Sequence, residues 1–312
     1  MGELVADIVV RPVPNMADLP DSTLVKEINA VNGGDALNTA VNIAKLGGKV
    51  TFIGRAGRDL FGQHIVGIAK EAGVDMSHIR YSEDQQTAKV VALIQAGGAR
   101  KFLHYPGANQ QFCLGDISLE VMKTCSHFHI GGTFHLPGFD GADAAKMLKM
   151  ARELGLTTSM DVAYDHSGRW METIRCCMPY LDYFMPSTGE AEHLLHEKEP
   201  SAMAGVLKEL GVRNVIIKMG ENGVYCSDAA GHAFTCGCYH VDAIDTTGAG
   251  DAFVGGFIHG LDDGLAIEDC VIRGTANAAF AVQQVGATTG IPPLDELQAF
   301  IKNSERPKVS YE

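Results

Sequence analysis

Short runs of apolar and β-branched residues alternate with longer helical patterns along most of this chain, and this alternation limits the possible folds more than any other feature. The predicted strands are Val50–Ile53, His127–Ile130, Thr157–Met160, Tyr183–Met185 and Val215–Lys218. The predicted helices are Ala36–Leu46, Phe61–Ala72, Ala142–Leu154, Glu190–His196, Ala202–Leu210 and Ala252–Leu261. Strands that alternate with helices form right-handed crossover units, so we expect an α/β fold with a parallel sheet covered on both faces.

Two pairs of strand-like segments have no helix between their members. Leu4–Val13 is followed by Leu24–Ile28, and Thr87–Ile94 is followed by Lys101–Tyr105. The second pair is joined by QAGGAR, a sequence typical of a hairpin turn. We therefore predict a single domain over residues 1–312, into which a small β-sheet lid is inserted from segments 4–30 and 87–106.

The charge balance excludes some classes of partner. The chain of 312 residues has 25 basic and 38 acidic residues, which gives a formal net charge of −13. This charge repels nucleic acid and anionic membranes, so neither is expected as a partner. The first residues, MGELVADIVVRPVP, include an early acid and no basic segment ahead of an apolar run, so no secretory signal is predicted. We expect a cytoplasmic protein that binds a small molecule.

The stretch DTTGAGDAF, residues 245–253, places small residues immediately before an acid and an apolar helical run. The first amides of a helix have no intrahelical acceptors, so those of Gly248, Ala249 and Gly250 would bind an anion such as a phosphate. Asp251, in the first turn, would accept a proton from a hydroxyl held beside that phosphate. The four residues GAGD alone are equally consistent with a tight turn followed by a helix-capping acid.

Two motifs make the chain resemble the ribokinase-type (PfkB) carbohydrate kinases. DTTGAGDAF is similar to the C-terminal signature of that family, in which the acid is the catalytic base. NGGDALNTAVNIAKLGGKVTFIGRAGRDLFG, residues 32–62, resembles the N-terminal signature, with its diglycine, an asparagine four residues later and a GxDxxG turn. The resemblance implies a three-layer α/β/α ribokinase-like fold. It also implies in-line transfer of a phosphoryl group from ATP, with Mg²⁺, to a primary hydroxyl of a sugar.

The resemblance assigns roles to individual residues on the sugar side. Asp7 and Asn38 would hydrogen-bond the sugar hydroxyls, because a carboxylate and an amide match the paired donors and acceptors of a polyol. Gly33 and Gly34 would let the sugar approach the backbone closely. Asn109, which follows the second lid segment, is a further candidate contact with the sugar.

Further roles implied by the resemblance concern the nucleotide and the metal ions. The candidate nucleotide-binding residues are Lys218, Gly220, Gly223, Thr246 and Asn277. Glu190 would hold Mg²⁺ through water. Oxygen-only ligation suits a hard ion, and the residues expected to surround a K⁺ site with backbone oxygens are Asp245, Thr247, Ala281, Gln284, Gly286 and Gly290.

The chain departs from the family pattern in the NxxE motif, which reads Ser187-Thr-Gly-Glu190. A serine has no amide, so we expect a weaker affinity for Mg²⁺ at this point. Lys218 stands where many members of the family have threonine and some have lysine. It would reach a phosphate as a point charge, the alternative being a solvated lysine at the end of a strand.

The residues expected around the sugar also bear on the substrate class. Aromatic residues appear sparse there, and stacking is the natural way to hold a nucleobase, so we predict an unphosphorylated sugar or sugar acid. Arg11 and Arg100 would be available to a phosphorylated substrate. The alternatives are a nucleoside kinase on the same fold and a non-catalytic sugar-binding regulator. We also expect a homodimer formed through the lid.

Overall fold

The order of strands and helices follows the predicted alternation. The computed structural model describes residues 1–14, 21–97 and 100–312. The strands are β1 (Val5–Val13), β2 (Glu27–Gly33), β3 (Thr51–Gly57), β4 (Asp75–Ser82), β5 (Ala88–Gln95), β6 (Arg100–Tyr105), β7 (His127–Thr133), β8 (Thr157–Val162), β9 (Tyr183–Phe184), β10 (Asn214–Lys218), β11 (Val224–Ser227), β12 (Ala233–Cys236) and β13 (Val309–Tyr311). The α-helices are α1 (Asp35–Lys45), α2 (Leu60–Glu71), α3 (Leu119–Met122), α4 (Ala142–Glu153), α5 (Met171–Ile174), α6 (Thr188–Leu195), α7 (Pro200–Glu209), α8 (Ala249–Asp262), α9 (Ile267–Ala281) and α10 (Leu294–Asn303).

The central sheet is parallel at its centre and antiparallel at one edge. Its strands lie in the order β13-β12-β11-β10-β9-β8-β7, with parallel pairing from β7 to β10 and antiparallel pairing from β10 to β13. The parallel pair β3-β4 continues the sheet beyond β7, because Gly2 bridges Gly131 of β7 and its amide donates to the Ile53 carbonyl of β3 at 3.0 Å. The predicted parallel sheet is confirmed.

Helices cover both faces of this sheet. Val215 and Ile217 of β10 belong to the core cluster that includes α4 and α7, whereas Ile216 between them belongs to the cluster formed with α8 and α9. A strand buried on both faces is typical of the middle layer of a three-layer domain. In the described ranges no helix combines the length and the apolarity that crossing a bilayer requires.

The lid is a separate sheet of four strands in the order β2-β1-β5-β6. The two predicted pairs, β1 with β2 and β5 with β6, are antiparallel, and a parallel pairing of β1 with β5 joins them. The predicted segment Leu24–Ile28 is misplaced, since the strand runs from Glu27 to Gly33 and leads directly into α1. Part of the predicted turn, residues 98 and 99, lies outside the described residues.

Small residues allow α8 to pack closely against α1 and α9. A Cβ at Gly255 would lie 2.6 Å from the Asn42 Cβ of α1, and a Cβ at Gly256 would lie 2.9 Å from the Arg273 carbonyl oxygen of α9. Neither distance leaves room for a side chain. The position of α8 relative to α1 therefore depends on these glycines, and α8 carries Asp251 in its first turn.

We predict that Gly256→Ala destabilises the protein by about 1–3 kcal/mol, because the new methyl group overpacks the contact between α8 and α9. Gly67→Ala is the matched control, since Gly67 also lies inside a helix but a Cβ there would meet no atom within 4 Å. The control should gain up to about 1 kcal/mol from the lower backbone entropy of the unfolded chain. Urea unfolding measures both changes, and equal stabilities of the two variants would contradict the packing argument.

Candidate active site

The turn before α8 has the geometry of an anion-binding site. Gly248 is the N-cap, with a φ of 74°, and a Cβ there would lie 2.2 Å from the Ala287 Cβ, so only glycine fits. The Ala249 amide donates to the Thr246 carbonyl at 3.3 Å, so one of the three amides predicted to bind phosphate has an internal partner. The helix dipole still concentrates positive charge at the amides that follow.

Asp251 is held in one orientation by a chain of side-chain hydrogen bonds. The Asn38 Nδ2 donates to the Asp251 Oδ2 at 2.8 Å, and the Asn38 Oδ1 accepts from the Asn32 Nδ2 at 2.8 Å. The Thr288 hydroxyl donates to the Asn32 Oδ1 at 3.0 Å. Asn38 was predicted from the sequence to contact the substrate, but it also positions the acid. Asn32 and Thr288 were not predicted, because nothing in their local sequence links them to Asp251.

The environment of Asp251 suits a proton acceptor near neutral pH. Asp251 is 8% exposed, and burial raises the pKa of its carboxyl to about 7, opposed by the Asn38 hydrogen bond and reinforced by the nearby Asp161. Asp35, in the first turn of α1, lies close enough to interact: desolvation and the charge of Asp251 both raise the pKa of Asp35 well above its ordinary value. A general base is most effective when its pKa is near the working pH.

Lys218 is a buried cation at the edge of the same turn. Its ammonium forms an ion pair with Asp161 at the end of β8, and a Cβ at Gly250 would lie 3.3 Å from the Lys218 Nζ. Burial lowers the pKa of Lys218, but Asp161 and Glu190 outweigh this effect and the net pKa is raised, so the amine stays charged. Burial raises the pKa of Asp161 to about 6. Asp161 was missed in the sequence, where an acid ending a buried strand was the only signal.

Ser187 and Glu190 form the N-terminal cap of α6. The Ser187 amide donates to the Glu190 Oε2 at 2.6 Å, and the Glu190 amide donates to the Ser187 hydroxyl at 3.4 Å. This capping box fixes the direction of the Glu190 carboxylate. Among the described residues no group of three or more His, Cys, Asp or Glu side chains has the arrangement of a metal centre. Carboxylates fit Mg²⁺ chemically, so Glu190 and Asp161 would hold it together with water and phosphate oxygens.

A cavity of about 520 Å³ opens beside Lys218 and the start of α8. Four of the five predicted nucleotide-binding residues line it, namely Lys218, Gly220, Gly223 and Thr246. The remaining wall is largely apolar, and its apolar members include Val224, Tyr239, Val241, Phe253, Ala278, Ala279 and Val282. An apolar cleft that ends at an anion-binding turn matches the shape and polarity of a nucleotide.

Asn277, the fifth predicted nucleotide-binding residue, does not line this cavity. It is fully buried, and its Nδ2 donates to the Ala252 carbonyl at 2.8 Å and to the Asn42 Oδ1 at 3.3 Å. The periodicity of α9 accounts for the difference, because Thr275 and Ala278 face the cavity while Asn277 points toward α8 and α1. Asn277 joins three helices instead of contacting a ligand from this cavity.

The lid side of the site is acidic. A Cβ at Gly33 would lie 2.3 Å from the Asp7 Cγ, so the glycine leaves space for this carboxylate. Desolvation raises the pKa of Asp7 to about 7, with contributions from the charges of Glu3 and Asp245. Gly34 has a φ of 86° at the start of α1, where a Cβ would lie 2.9 Å from the Glu3 carbonyl oxygen. Both predicted glycines are required by close approaches within the protein itself.

A second cavity, of about 400 Å³, lies under the lid beside Glu3 and Val5. Asn109 lines it as predicted, but its amide is used by the backbone of Leu4: the Leu4 amide donates to Asn109 Oδ1 at 3.4 Å, and Asn109 Nδ2 donates to the Leu4 carbonyl at 3.1 Å. Asn109 therefore secures the start of the lid, and its contact with the sugar stays a prediction.

Few aromatic residues were predicted around the sugar, whereas several line the cavity under the lid. Aromatic rings from three chain segments line the cavity under the lid: His104, Tyr105, Phe134, His135 and His166. The ring centroids of His104, His135 and His166 lie 5.6 to 6.3 Å apart. The sequence did not indicate this set of rings, because two of its three segments are loops that follow β7 and β8 and lie far from the lid strands along the chain.

Two acceptors fix the orientation of the His135 ring within this cavity. Its Nδ1 lies 2.9 Å from the Glu3 Oε1, and its Nε2 lies 3.2 Å from the Tyr164 carbonyl oxygen. A carboxylate and a carbonyl accept hydrogen bonds, so this arrangement favours the protonated ring. Burial lowers the pKa of His135, but the charge and hydrogen bond of Glu3 outweigh it and the net pKa is raised. His104 is different, since burial and the two neighbouring histidines lower its pKa.

The two segments predicted to surround a K⁺ site meet behind the turn. The Asp245 carboxylate accepts from the Thr247 amide at 3.0 Å and from the Gly286 amide at 3.2 Å, and the Asp245 amide donates to the Val282 carbonyl at 3.1 Å. The Ala281 carbonyl, one of the predicted ligands, accepts a hydrogen bond from the Gln284 amide at 3.3 Å. Gly290 lies in the same connection between α9 and α10.

Comparison with known proteins identifies the family of this chain. Residues 2–294 match the model of the pfkB family of carbohydrate kinases. The chain is 28% identical over 284 residues to a 2-dehydro-3-deoxygluconokinase of Bacillus subtilis, covering 86% of each chain. It is 28% identical over 320 residues to a probable fructokinase-2 of Arabidopsis thaliana, covering 96% of this chain and 94% of the relative.

A solved structure shares the fold over nearly the whole chain. The structure of Arabidopsis thaliana ribokinase complexed with ribose and ATP superposes with a TM-score of 0.84 at 23% identity, covering 97% of each chain. The three-layer fold with a β lid is thereby confirmed as ribokinase-like. With a family match over most of its length and a buried acid at the anion-binding turn, this chain belongs to the pfkB family and is a carbohydrate kinase.

Proposed function

We propose that this protein transfers the γ-phosphoryl group of ATP to a primary hydroxyl of a small sugar or sugar acid. The observation that carries the proposal is the buried hydrogen bond between Asn38 and Asp251, at the start of α8. It orients an acid of raised pKa in the first turn of α8, directly after Ala249 and Gly250, which line the apolar cavity. A hydroxyl and a phosphate can meet at this point, which is the requirement for in-line transfer.

Each residue of the turn has a distinct part in the proposed mechanism. Asp251 accepts the proton of the attacking hydroxyl, and the amides at the start of α8 stabilise the charge that develops on the transferring group. Lys218 supplies a positive charge that its ion pair with Asp161 holds beside Gly250. Mg²⁺, when bound near Glu190 and Asp161, neutralises charge on the phosphate oxygens. Asp7 binds the hydroxyls of the sugar.

The substrate can be identified by a screen for ADP release with D-fructose, D-ribose, 2-dehydro-3-deoxy-D-gluconate, a sugar phosphate and several nucleosides. We expect the highest kcat/KM with an unphosphorylated sugar or sugar acid, because similar proteins include kinases of these compounds. No ADP release above the acceptor-free background with any of these compounds would contradict the proposal and favour the non-catalytic sugar-binding regulator.

A nucleoside kinase is the second candidate, and one observation favours it. The cavity under the lid is lined by His104, Tyr105, Phe134, His135 and His166, and rings of this kind can stack on a base. The same rings are compatible with a sugar kinase, because the apolar face of a pyranose or furanose also packs on aromatic rings. A higher kcat/KM for a nucleoside than for every sugar in the screen would select this candidate.

Replacement of the proposed base gives the sharpest test of mechanism. Asp251→Asn preserves shape and the contact with Asn38 but removes the proton acceptor, so kcat should fall by about 10² to 10⁴. ATP affinity, measured by calorimetry, should be retained. In the wild type, kcat/KM should decline as pH falls below about 7, because protonation of Asp251 inactivates it.

Asp262→Asn provides the matched control for this test. Asp262 ends the same helix, is exposed and contacts the Ser126 hydroxyl at 2.9 Å, which an asparagine oxygen can still accept. Its kcat and pH profile should equal those of the wild type. Near-normal turnover of Asp251→Asn would contradict the assignment of Asp251 as the base. A decline of kcat/KM below about pH 7 that persists in Asp251→Asn would contradict it as well.

A potassium requirement is a further part of the proposal. The Asp245 carboxylate joins the segments around Asp245 and Gly286, whose backbone oxygens are the proposed ligands. Hard oxygen ligands suit K⁺. Replacing K⁺ by tetramethylammonium at constant ionic strength should lower kcat several-fold, and an unchanged rate would contradict the presence of a functional site.

We propose that two copies associate through the lid. Its surface exposes the large apolar side chains Ile28, Phe102 and Leu103, which are 66%, 45% and 62% accessible. Exposed large apolar groups on both edge strands of one small sheet favour burial against a second copy. The molar mass in solution, measured by light scattering, tests this association, and a monomer at micromolar concentration would contradict it.

A further inference from the structure

Arg100 connects the lid to the turn at the start of α8. It begins β6, and its Nη1 donates to the Thr247 Oγ1 at 2.8 Å while its Nη2 donates to the Thr246 Oγ1 at 3.1 Å. The Asp245 Oδ1 lies 3.5 Å from the same guanidinium. Thr246 lines the nucleotide cavity, and Thr247 directly precedes the Gly248 N-cap. A lid residue therefore reaches the point where the proposed phosphoryl group would pass.

The partners of Arg100 differ from those of Lys218, the other cation beside the turn. Lys218 is paired with the buried carboxylate of Asp161. Arg100 has its two shortest contacts with neutral hydroxyls instead, and the Asp245 carboxylate lies farther away. Phosphate oxygens are stronger acceptors than hydroxyls, and the planar guanidinium can bind two of them at once.

The charge around the turn makes such a cation useful. The carboxyl groups of Asp7, Asp35, Asp161 and Asp251 all have raised pKa values, each with desolvation as the largest cause and neighbouring acids as further causes. A transferring phosphoryl group adds negative charge to this acidic region. A cationic side chain that reaches the turn lowers the electrostatic energy of a phosphoryl group beside these carboxyl groups. The core of the domain does not have to change.

We propose that Arg100 is a phosphate-binding residue that the lid supplies to the transferring phosphoryl group. The inference rests on the proposed function and adds a lid residue to its machinery. Phosphate oxygens replace the Thr246 and Thr247 hydroxyls as partners of the guanidinium when the nucleotide is bound. Because Arg100 belongs to β6, its charge reaches the turn only when the lid lies over the site, so phosphoryl transfer depends on enclosure of the acceptor.

Three substitutions at Arg100 and one matched control test this role with the best acceptor from the screen. Arg100→Gln should lower kcat at least about tenfold, as loss of one charged donor to a transition state does. Its KM for the acceptor should stay within about twofold of the wild type, whereas Arg100→Lys should recover part of the rate. Addition of guanidinium chloride at millimolar concentration should partly restore Arg100→Ala.

Lys101→Gln is the control, because Lys101 is the next residue of β6, is exposed and points to the other face of the strand. It should leave kcat and both KM values unchanged. An Arg100→Gln variant with an unchanged kcat, or with only a raised KM for the acceptor, would overturn the proposal. The second result would mean that the guanidinium binds the acceptor and not the transferring group.

A binding measurement that needs no turnover separates this inference from the proposed function. ADP with aluminium fluoride mimics the transferring phosphoryl group, and its affinity should fall about tenfold or more in Arg100→Gln, while the affinity for ADP alone is unchanged. Equal affinities of wild type and variant for the fluoride complex would overturn the role of Arg100. A wild type that binds this complex but turns over no acceptor would contradict the proposed function alone.

Discussion

The hydrogen bond from Asn38 to Asp251 is the interaction on which the rest of the site depends. It joins α1 to α8, and each of its members is almost fully buried. A buried carboxylate is costly unless it is hydrogen-bonded, and here an amide and a helix N-terminus compensate for part of that cost. The bond works only if the two helices stay in register, which explains why their contact is made by glycine at Gly255 and not by a larger residue.

The hydrogen-bond chain extends this dependence to the connection between α9 and α10. Thr288 orients Asn32, and Asn32 fixes which atom of the Asn38 amide faces Asp251, because its own Nδ2 needs the Asn38 oxygen. The Lys45 ammonium holds the Thr288 carbonyl at 2.7 Å. The lid strand β2 contributes Asn32. The lid, the helices α1 and α8, and the connection between α9 and α10 therefore all position the Asp251 carboxylate. A displacement of any of these elements would change the hydrogen bonding of Asp251.

The sequence predicted those parts of the fold and site that depend on local patterns. The alternation of strands and helices and the small residues before Asp251 are local, and the helix predicted at Ala252–Leu261 lies within α8. Other features depend on tertiary packing, such as the ion pair of Asp161 with Lys218 and the direction of Asn277 inside the helix layer. The aromatic cavity under the lid also escaped prediction, since its rings come from segments more than twenty residues apart.

Two acids with similar pKa values, Asp7 and Asp251, are assigned to the proposed acceptor, and their surroundings differ. Both pKa values are raised to about 7. At Asp251 the Asn38 amide and Lys218 lower the pKa, against burial and the charges of Asp161 and Glu3, and the positive end of α8 also stabilises the anion. At Asp7 the charges of Glu3 and Asp245 act with burial and favour the protonated form. Of the two, Asp251 is therefore the acid with partners for its anion, and a base must start unprotonated.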